Sequence, residues 1–246
     1  MKLKEMLLKF STAALYLKDI KCIFCGGELD KSSRYCACDN CFNSLPFIHD
    51  KVCEKCGEPI NSLALFCMKC KNHVDRGFDR ARACLLYRDN VRKAVKDLKY
   101  NGKKYFAEYL SKFLLDKYYA ENLNCDLIIP VPITEKRIKE RGFNQSELLC
   151  KSFIDAGLKV DTTSVIKHKN TENQVNLNYK ERQENIVDAF KVVDKMAVKD
   201  KTILLIDDVY TTGATTGEIA RVLKNAGAFK VFVLTLCHEM PEKATN

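Results

Sequence analysis

The sequence predicts an α/β protein in which a parallel sheet is preceded by a small cysteine-rich module. Three observations support this prediction. Cys-x-x-Cys pairs recur four times between Cys22 and Cys70, and after Lys71 short apolar runs alternate with amphipathic helical patterns. One apolar run, at residues 203–206, leads into two adjacent carboxylates and a threonine-rich turn. Because strands that alternate with helices form parallel sheets with helices on both faces, we expect that architecture here.

The chain has 246 residues, a length that fits one domain or two. We predict an N-terminal helix over residues 1–20, a cysteine-rich module over residues 21–75 and a sheet domain over residues 76–240. The N-terminal segment has too short an apolar block for a secretory signal peptide. No run approaches the ~20 apolar residues that span a membrane, so we expect no transmembrane segment and a cytoplasmic location.

The elements of the sheet domain are predicted from the spacing of apolar residues. Short apolar runs predict strands at 83–87, 126–132, 203–206 and 231–236. Helices are predicted from two stripes, from a segment at about 144–153, and from the residues that follow the threonine-rich turn. The apolar positions of the two stripes and of the last helix are Val91, Ala94, Val95 and Leu98; Tyr105, Phe106, Tyr109, Leu110, Phe113 and Leu114; and Ile219, Ala220, Val222, Leu223 and Ala226.

The cysteine pairs predict two structural Zn²⁺ sites. Two residues between cysteines let both sulfurs reach one tetrahedral ion, and a second pair completes a four-cysteine site. We favour sequential grouping over an interleaved arrangement, and Cys36 could replace Cys38 as a ligand. The predicted ligands are Cys22, Cys25, Cys38 and Cys41 for one site, and Cys53, Cys56, Cys67 and Cys70 for the other.

Two other interpretations of the cysteines are weaker. Disulfides need an oxidising compartment, and nothing in the sequence directs export. A redox Cys-x-x-Cys pair is a second alternative, but four pairs in series argue against it. A module of about 50 residues has too little apolar surface to fold unaided, so a metal would supply much of its stability. His238 follows Cys237, but neighbours along a strand point to opposite faces, so they do not predict a nucleophile and its base.

The segment at residues 203–216, here called the signature segment, predicts a sugar-phosphate site. Asp207 and Asp208 follow its apolar strand, where open α/β sheets bind ligands, and they can accept hydrogen bonds from ribose hydroxyls. The turn opens a helix, whose free N–H groups and positive dipole end attract phosphate. The residues predicted to bind the 5-phosphate are Thr211, Thr212, Gly213, Ala214 and Thr215.

The signature segment resembles the phosphoribosyl-pyrophosphate (PRPP) signature of type I phosphoribosyltransferases. Residues 130–145 and 174–190, the Leu98-Lys99-Tyr100 triplet and the cysteine pairs together resemble the ComF family of competence-associated proteins. The resemblance extends from about Cys22 to Leu236. It implies a double zinc ribbon followed by a phosphoribosyltransferase-like domain, with PRPP or another ribose 5-phosphate as ligand.

The resemblance also implies roles for individual residues. Asp207 and Asp208 would be the catalytic acids that hold the ribose hydroxyls, with Mg²⁺ bound together with PRPP. The loop after the second predicted strand resembles a pyrophosphate loop. Its cations would bind the diphosphate, and a mobile loop at residues 167–185 would close over the ligand. The cations are Lys136, Arg137 and Arg141, and the residues that match the mobile loop are Gln174, Arg182 and Asn185.

Three functions follow from these implications. One is an enzyme that transfers phosphoribose to an unknown acceptor and is associated with DNA uptake. Another is a non-catalytic PRPP sensor among competence-machinery proteins, and the third is a single-stranded DNA binder. The net charge of +9 favours phosphate-bearing partners. Four aromatic residues of the cysteine module could stack on bases or form the core of the ribbons: Phe24, Tyr35, Phe42 and Phe47.

Overall fold

The computed structural model describes residues 20–29, 33–49, 51–60, 63–72, 76–169 and 186–240. The predicted N-terminal helix, except its last residue, lies outside these ranges, as do Gln174, Arg182 and Asn185. The chain divides into two compact units, Met1–Ser44 and Leu45–Asn246. Among the described residues, no helix has both the length and the apolar character that a membrane crossing requires.

The described part of the first unit contains two short loops and one helix. Lys21 and Glu28 form a β-bridge, and Ile23 N donates to Cys36 O at 2.9 Å. Helix α1 (Asp39–Asn43) carries the buried Cys41. Phe24 is also buried, so its ring belongs to the small core and is not available for stacking on a base. The rings of Tyr35 and Phe42 stack on each other at 5.2 Å.

The strands described in the second unit are β1 (Arg80–Leu86), β2 (Leu127–Pro130), β3 (Val165–Lys167), β4 (Phe190–Val192), β5 (Thr202–Tyr210) and β6 (Lys230–His238). Four of them form a parallel sheet in the order β1-β6-β5-β2, and β3 and β4 form a separate antiparallel pair. All four predicted strands are present; β1, β5 and β6 are longer than predicted, and β2 is shorter. The antiparallel pair was not predicted, because its two short runs are half exposed.

The helices of this unit follow most of the predicted stripes. The four predicted apolar residues of α3 are all buried. Tyr105 was wrongly placed in the second stripe: it precedes α4 and is 57% exposed. The predicted helix at about 144–153 is two helices, because Cys150 N bonds back only three residues, to Glu147 O. The helices are α2 (Met68–Lys71), α3 (Asp89–Tyr100), α4 (Phe106–Ala120), α5 (Glu135–Arg141), α6 (Gln145–Leu148), α7 (Lys151–Asp155), α8 (Lys195–Val198) and α9 (Ala214–Asn225).

Helices cover both faces of the sheet. On one face, Ile219 and Leu223 of α9 share an apolar core with Val231 and Val233 of β6. On the other face α4 packs against β1 and β6, and the Cys84 thiol donates to a carbonyl of α4. The predicted fold class, a parallel sheet with helices preceded by two four-cysteine groups, is therefore confirmed.

The second cysteine ribbon is joined to the sheet by main-chain and charged contacts. Ala81 N donates to Lys55 O at 2.8 Å. Arg82, which is 5% exposed, donates to Cys53 O and pairs with two glutamates, each at 2.9 Å. Cys53, Cys56 and Cys67 lie in the same apolar core as the residues under α9. This ribbon is therefore part of the second unit's core; the glutamates are Glu54 and Glu121.

Candidate functional site

Each group of four cysteines has the geometry of a tetrahedral metal site. Within each group the four sulfur atoms lie within 4.8 Å of one another. Cys25 Sγ and Cys38 Sγ are 3.9 Å apart, and Cys56 Sγ and Cys67 Sγ are 3.7 Å apart. Zinc–sulfur bonds of about 2.3 Å in a tetrahedron place two sulfurs about 3.8 Å apart, so both groups fit zinc. The sequential grouping is confirmed: Cys22, Cys25, Cys38 and Cys41 form the first group, and Cys53, Cys56, Cys67 and Cys70 form the second.

The remaining cysteines lie outside both groups. The Cys36 thiol donates to Lys21 O at 3.3 Å, so Cys38 and not Cys36 completes the first group. Burial raises the pKa of Cys237 well above its usual value and lowers the pKa of His238 to about 4. Both side chains are buried, and at neutral pH both are uncharged.

The acidic pair, Asp207 and Asp208, lies near the carboxyl end of β5 and is contacted by residues of two helices, α6 and α3. Ser146 Oγ donates to Asp207 Oδ1 at 2.9 Å, and Gln145 Nε2 donates to Asp208 Oδ1 at 3.3 Å. Lys99, near the end of α3, forms an ion pair with Asp208 Oδ2. Asp208 is 3% exposed, so this ion pair is almost wholly shielded from water.

The two carboxylates have different protonation behaviour. Burial and the neighbouring charge of Asp208 raise the pKa of Asp207 to about 7. Burial acts in the same direction on Asp208, but the ion pair with Lys99 outweighs it and lowers the pKa of Asp208. Two adjacent carboxylates in a shielded site cannot both ionise easily, so the charge concentrates on the one with a cation beside it. Asp208 is thus a fixed anion, whereas Asp207 can change its protonation state near neutral pH.

Basic residues surround the acidic pair, and they include two of the three predicted cations. Arg141 donates to Gln145 Oε1 and lies over the Tyr100 ring, so Gln145 links Arg141 to Asp208. Burial and the charge of Arg137 lower the pKa of Lys167 to about 8, and the charge of Asp207 opposes that shift, which places these side chains near one another. The third cation, Lys136, is exposed and pairs with Glu140 at 4.0 Å.

The threonine-rich turn connects the acidic pair to α9. Gly213 ends the turn with φ +79°, a left-handed conformation, and an added Cβ would lie 2.8 Å from Tyr210 Cζ. Glycine is favoured here for two reasons: other residues rarely adopt this backbone angle, and a side chain would collide with the Tyr210 ring. The first amides of a helix lack intrahelical acceptors, and the first one of α9, Ala214 N, donates to Thr212 Oγ1 at 3.3 Å. The predicted phosphate ligands lie here together: Thr211, Thr212 and Thr215 are partly exposed, whereas Gly213 and Ala214 are buried.

Several residues of this region were missed as site residues. Lys99, Gln145 and Ser146 are distant in sequence from β5, and only the packing of their helices brings them to it. Lys167 comes from the unpredicted strand β3. Arg76, which follows the second four-cysteine group, is buried and donates to Thr212 O and Tyr210 Oη, and no local pattern marks it. Only the tertiary structure shows that these residues belong to the site, although Lys99 and Gln145 lie in segments that resemble the ComF family.

Comparison with known proteins found several relatives. No family model matches the chain. The DNA utilization protein YhgH of Escherichia coli (strain K12) is 30% identical over 195 residues, which cover 77% of this chain and 85% of that protein. Competence protein F of Haemophilus influenzae is 27% identical over 225 residues (87% and 95%). Competence protein ComFC of Bacillus subtilis is 28% identical over 207 residues (77% and 78%).

Among solved structures, two similar chains are those of nucleotide-related enzymes. A hypoxanthine phosphoribosyltransferase from Staphylococcus aureus aligns with a TM-score of 0.35 at 14% identity and covers 57% of this chain and 76% of that one. Glutamine phosphoribosylpyrophosphate amidotransferase from B. subtilis aligns with a TM-score of 0.34 at 19% identity and covers 51% and 25%.

The geometry of the cysteine groups predicts the metal content of the chain. We expect two zinc ions per chain, and we expect one to be lost in Cys38→Ser and one in Cys67→Ser, because each substitution breaks a different tetrahedral set. Elemental analysis of the purified proteins measures this. Cys36→Ser is the matched control and should retain both ions. Loss of an ion from the control, or loss of both ions from either single variant, would contradict the assignment.

The raised pKa of Asp207 predicts how stability changes with pH. The unfolded carboxyl has a pKa of about 3.9, so the folded state binds the Asp207 proton more tightly, and its stabilising contribution is lost as pH rises from about 4 to about 7. We expect urea unfolding at pH 5 and pH 8 to show a larger loss of stability in the wild type than in Asp207→Asn. The control is Asp155→Asn, which removes an exposed carboxylate and should lose as much stability between the two pH values as the wild type does. An equal pH dependence in wild type and Asp207→Asn would refute the shift.

Proposed function

The chain belongs to the ComF family of competence and DNA utilization proteins, and on that premise we propose that it binds PRPP, or a related ribose 5-phosphate, and transfers phosphoribose to an acceptor. The observation that carries this proposal is the continuity of β5, the threonine-rich turn and α9. One strand end supplies a carboxylate that titrates near neutral pH, and the next few residues supply amides and hydroxyls at a helix start. A ribose 5-phosphate carries its hydroxyls and its phosphate only a few atoms apart, so neighbouring groups of these two kinds suit it.

Each part of the ligand has a chemically suited partner. The ionised Asp207 accepts hydrogen bonds from ribose hydroxyls, and Asp208 keeps Lys99 charged beside them. The helix start and the turn hydroxyls bind the 5-phosphate. Arg141 and Arg137 bind the diphosphate, since guanidinium groups can form two parallel bonds to phosphate oxygens. Mg²⁺, when bound, would neutralise part of the diphosphate charge, and Asp207 and ligand oxygens are the hard donors it prefers.

The reaction breaks the bond between the anomeric carbon of ribose and an oxygen of the diphosphate. The bonding electrons leave with the diphosphate, and the acceptor forms the new bond to the anomeric carbon and releases its proton. Positive charge develops on the ribose ring, and the anionic Asp208 and Asp207 stabilise it electrostatically. Cations that meet the departing diphosphate stabilise its growing negative charge. The acceptor's chemical class is the part of the reaction that these residues do not define.

The names of the relatives suggest where this chemistry acts. The relatives are named competence proteins and a DNA utilization protein, and from these names we infer a role in DNA uptake beside competence-machinery proteins in the cytoplasm. A PRPP sensor without turnover would serve the same setting.

A single-stranded DNA site is the second candidate, and one surface favours it. In the second group, three large apolar side chains between the two cysteine pairs and one within the second pair are exposed, and lysines lie near them in the sequence. Exposed apolar and aromatic side chains amid cations are the surface that binds single strands without sequence preference. The apolar residues are Leu63, Leu65, Phe66 and Met68, and the lysines nearest in sequence are Lys55, Lys69 and Lys71.

Calorimetry with PRPP and Mg²⁺ tests the binding proposal. We expect the wild type to bind, and we expect Asp207→Asn/Asp208→Asn to lose at least about tenfold in affinity because charge-assisted hydrogen bonds are removed. Arg141→Ala should weaken binding similarly. Lys139→Ala, on the same helix, is its matched control. Unchanged affinity in a folded double variant would overturn the assignment, and pyrophosphate release with a panel of nucleobases, amines and DNA separates an enzyme from a sensor.

Salt-dependent binding tests the DNA candidate. If the exposed surface of the second ribbon holds single strands, oligothymidine affinity should fall steeply with salt, and Phe66→Ala combined with Met68→Ala should weaken it about tenfold or more. Asp207→Asn should leave this affinity unchanged, because the acidic pair is not part of that surface. Equal binding by the ribbon variant and the wild type would exclude the surface.

A further inference from the structure

The underside of the threonine-rich turn is filled by one aromatic side chain. Tyr210 is 4% exposed and lies directly beneath Gly213. Its ring stacks on His238 at 4.9 Å and meets the edge of Phe78 at 6.3 Å. Because the turn contacts Tyr210 so closely that even a methyl group is excluded, the position of this ring sets the shape of the turn.

Arg76 ties this ring to the turn. Its guanidinium is buried and donates to the carbonyl of Thr212 and, at 3.3 Å, to the hydroxyl of Tyr210. A charged donor on the Thr212 carbonyl orients the peptide group between Thr212 and Gly213, and the N–H of that peptide belongs to the predicted phosphate ligands. Arg76 therefore acts on the turn from a buried position, through the carbonyl of Thr212.

The backbone around Arg76 is fitted against the start of α9. An added Cβ on Gly77 would lie 2.6 Å from Gly217 O, and one on Gly217 would lie 2.8 Å from Arg76 O. Only two glycines allow main chain to approach a helix this closely. Residues 76 and 77 therefore cannot shift without moving the first turn of α9, where the phosphate donors lie.

The second four-cysteine group lies at the other end of this connection. Arg76 follows Cys70 by six positions and precedes Phe78 by two. Cys53, Cys56 and Cys67 share one apolar core with Phe78, Tyr210 and Ala214, and Cys70 packs against it. A closed metal site fixes four points of the ribbon relative to one another, whereas four unligated thiols leave them free to separate.

We propose that the second four-cysteine group, when closed around its metal, holds Arg76 against the threonine-rich turn and thereby sets the turn's affinity for a 5-phosphate. Arg76 is a positioning residue in this arrangement and does not touch the ligand. The affinity part of the proposal rests on the proposed PRPP-binding function. The structural part, that metal in the second group orders the turn, stands without any ligand.

The test uses the full-length zinc-loaded protein and two sets of matched variants, one at arginines and one at cysteines. Arg76→Lys keeps the positive charge but removes the planar guanidinium group that donates to Thr212 and Tyr210. Arg88→Lys makes the same change at an exposed arginine and serves as its control. Cys70→Ser opens the second group, Cys70→His restores a fourth ligand, and Cys125→Ser is the control for a half-buried cysteine outside both groups. Two quantities are measured: PRPP affinity by calorimetry, and amide hydrogen exchange of residues 208–216 relative to residues 127–130 of β2.

We expect Arg76→Lys and Cys70→Ser to weaken PRPP binding about tenfold and to speed exchange in 208–216 about tenfold, with exchange in β2 unchanged. Cys70→His should recover most of both losses. Uniformly faster exchange in both segments would mean a merely structural role and would overturn the proposal, as would wild-type exchange in 208–216 in Cys70→Ser.

A failure of the proposed function gives a different result. If the wild type does not bind PRPP, the calorimetric arm is lost for every variant, but the exchange arm still decides whether the second group orders the turn. If the wild type binds and Cys70→Ser binds equally well, the coupling is refuted while the PRPP site stands. Cys38→Ser, which opens only the first group, should match the wild type in both measurements; a loss equal to that of Cys70→Ser would also refute the coupling.

Discussion

The site depends on one electrostatic constraint: two carboxylates lie side by side near the shielded end of a buried strand. Ionising both of them there is costly without a compensating charge, and Lys99 supplies one to Asp208. That ion pair requires α3 to pack so that its last turn reaches β5, and it leaves Asp207 as the member that can gain or lose a proton. The division of roles between the two acids follows from which of them has the lysine.

The threonine-rich turn obeys a steric constraint instead. Amides can converge on a phosphate only if the backbone turns sharply into a helix, and Gly213 makes that turn while Tyr210 fills the space beneath it. Gly213 must be small because the Tyr210 ring packs directly against it, so the two residues together determine the shape of the turn. The buried contacts of Arg76 and Phe78 belong to the same surface, although neither residue lies within the signature segment.

The features that sequence alone predicted are those fixed over a few consecutive residues. Cysteine spacing gave the two sequential groups, the apolar runs gave the four strands of the sheet, and the adjacency of Asp207 and Asp208 gave the strand-end site. Features set by packing between distant segments were not predictable: the pairing of Lys99 with Asp208, the approach of Lys167 from β3, and the break between α6 and α7. Lys136 was predicted as a ligand residue because of its charge, but packing also decided its position: its helix exposes it to solvent beside Glu140.

The two four-cysteine groups illustrate why equal motifs need not have equal consequences. In the first unit the four-cysteine group, one short helix and a few buried side chains such as Phe24 make up most of the described structure, so an ion bound there would be the main source of order. In the second unit the cysteines extend an apolar core that already contains a sheet and α9. A metal bound there would add little to whether the sheet forms but would fix how one edge of it is held, because Arg82 and Ala81 anchor the ribbon to β1 while Arg76 reaches the turn. A metal ion bound within an existing core therefore acts on the geometry of its neighbours more than on the existence of the fold.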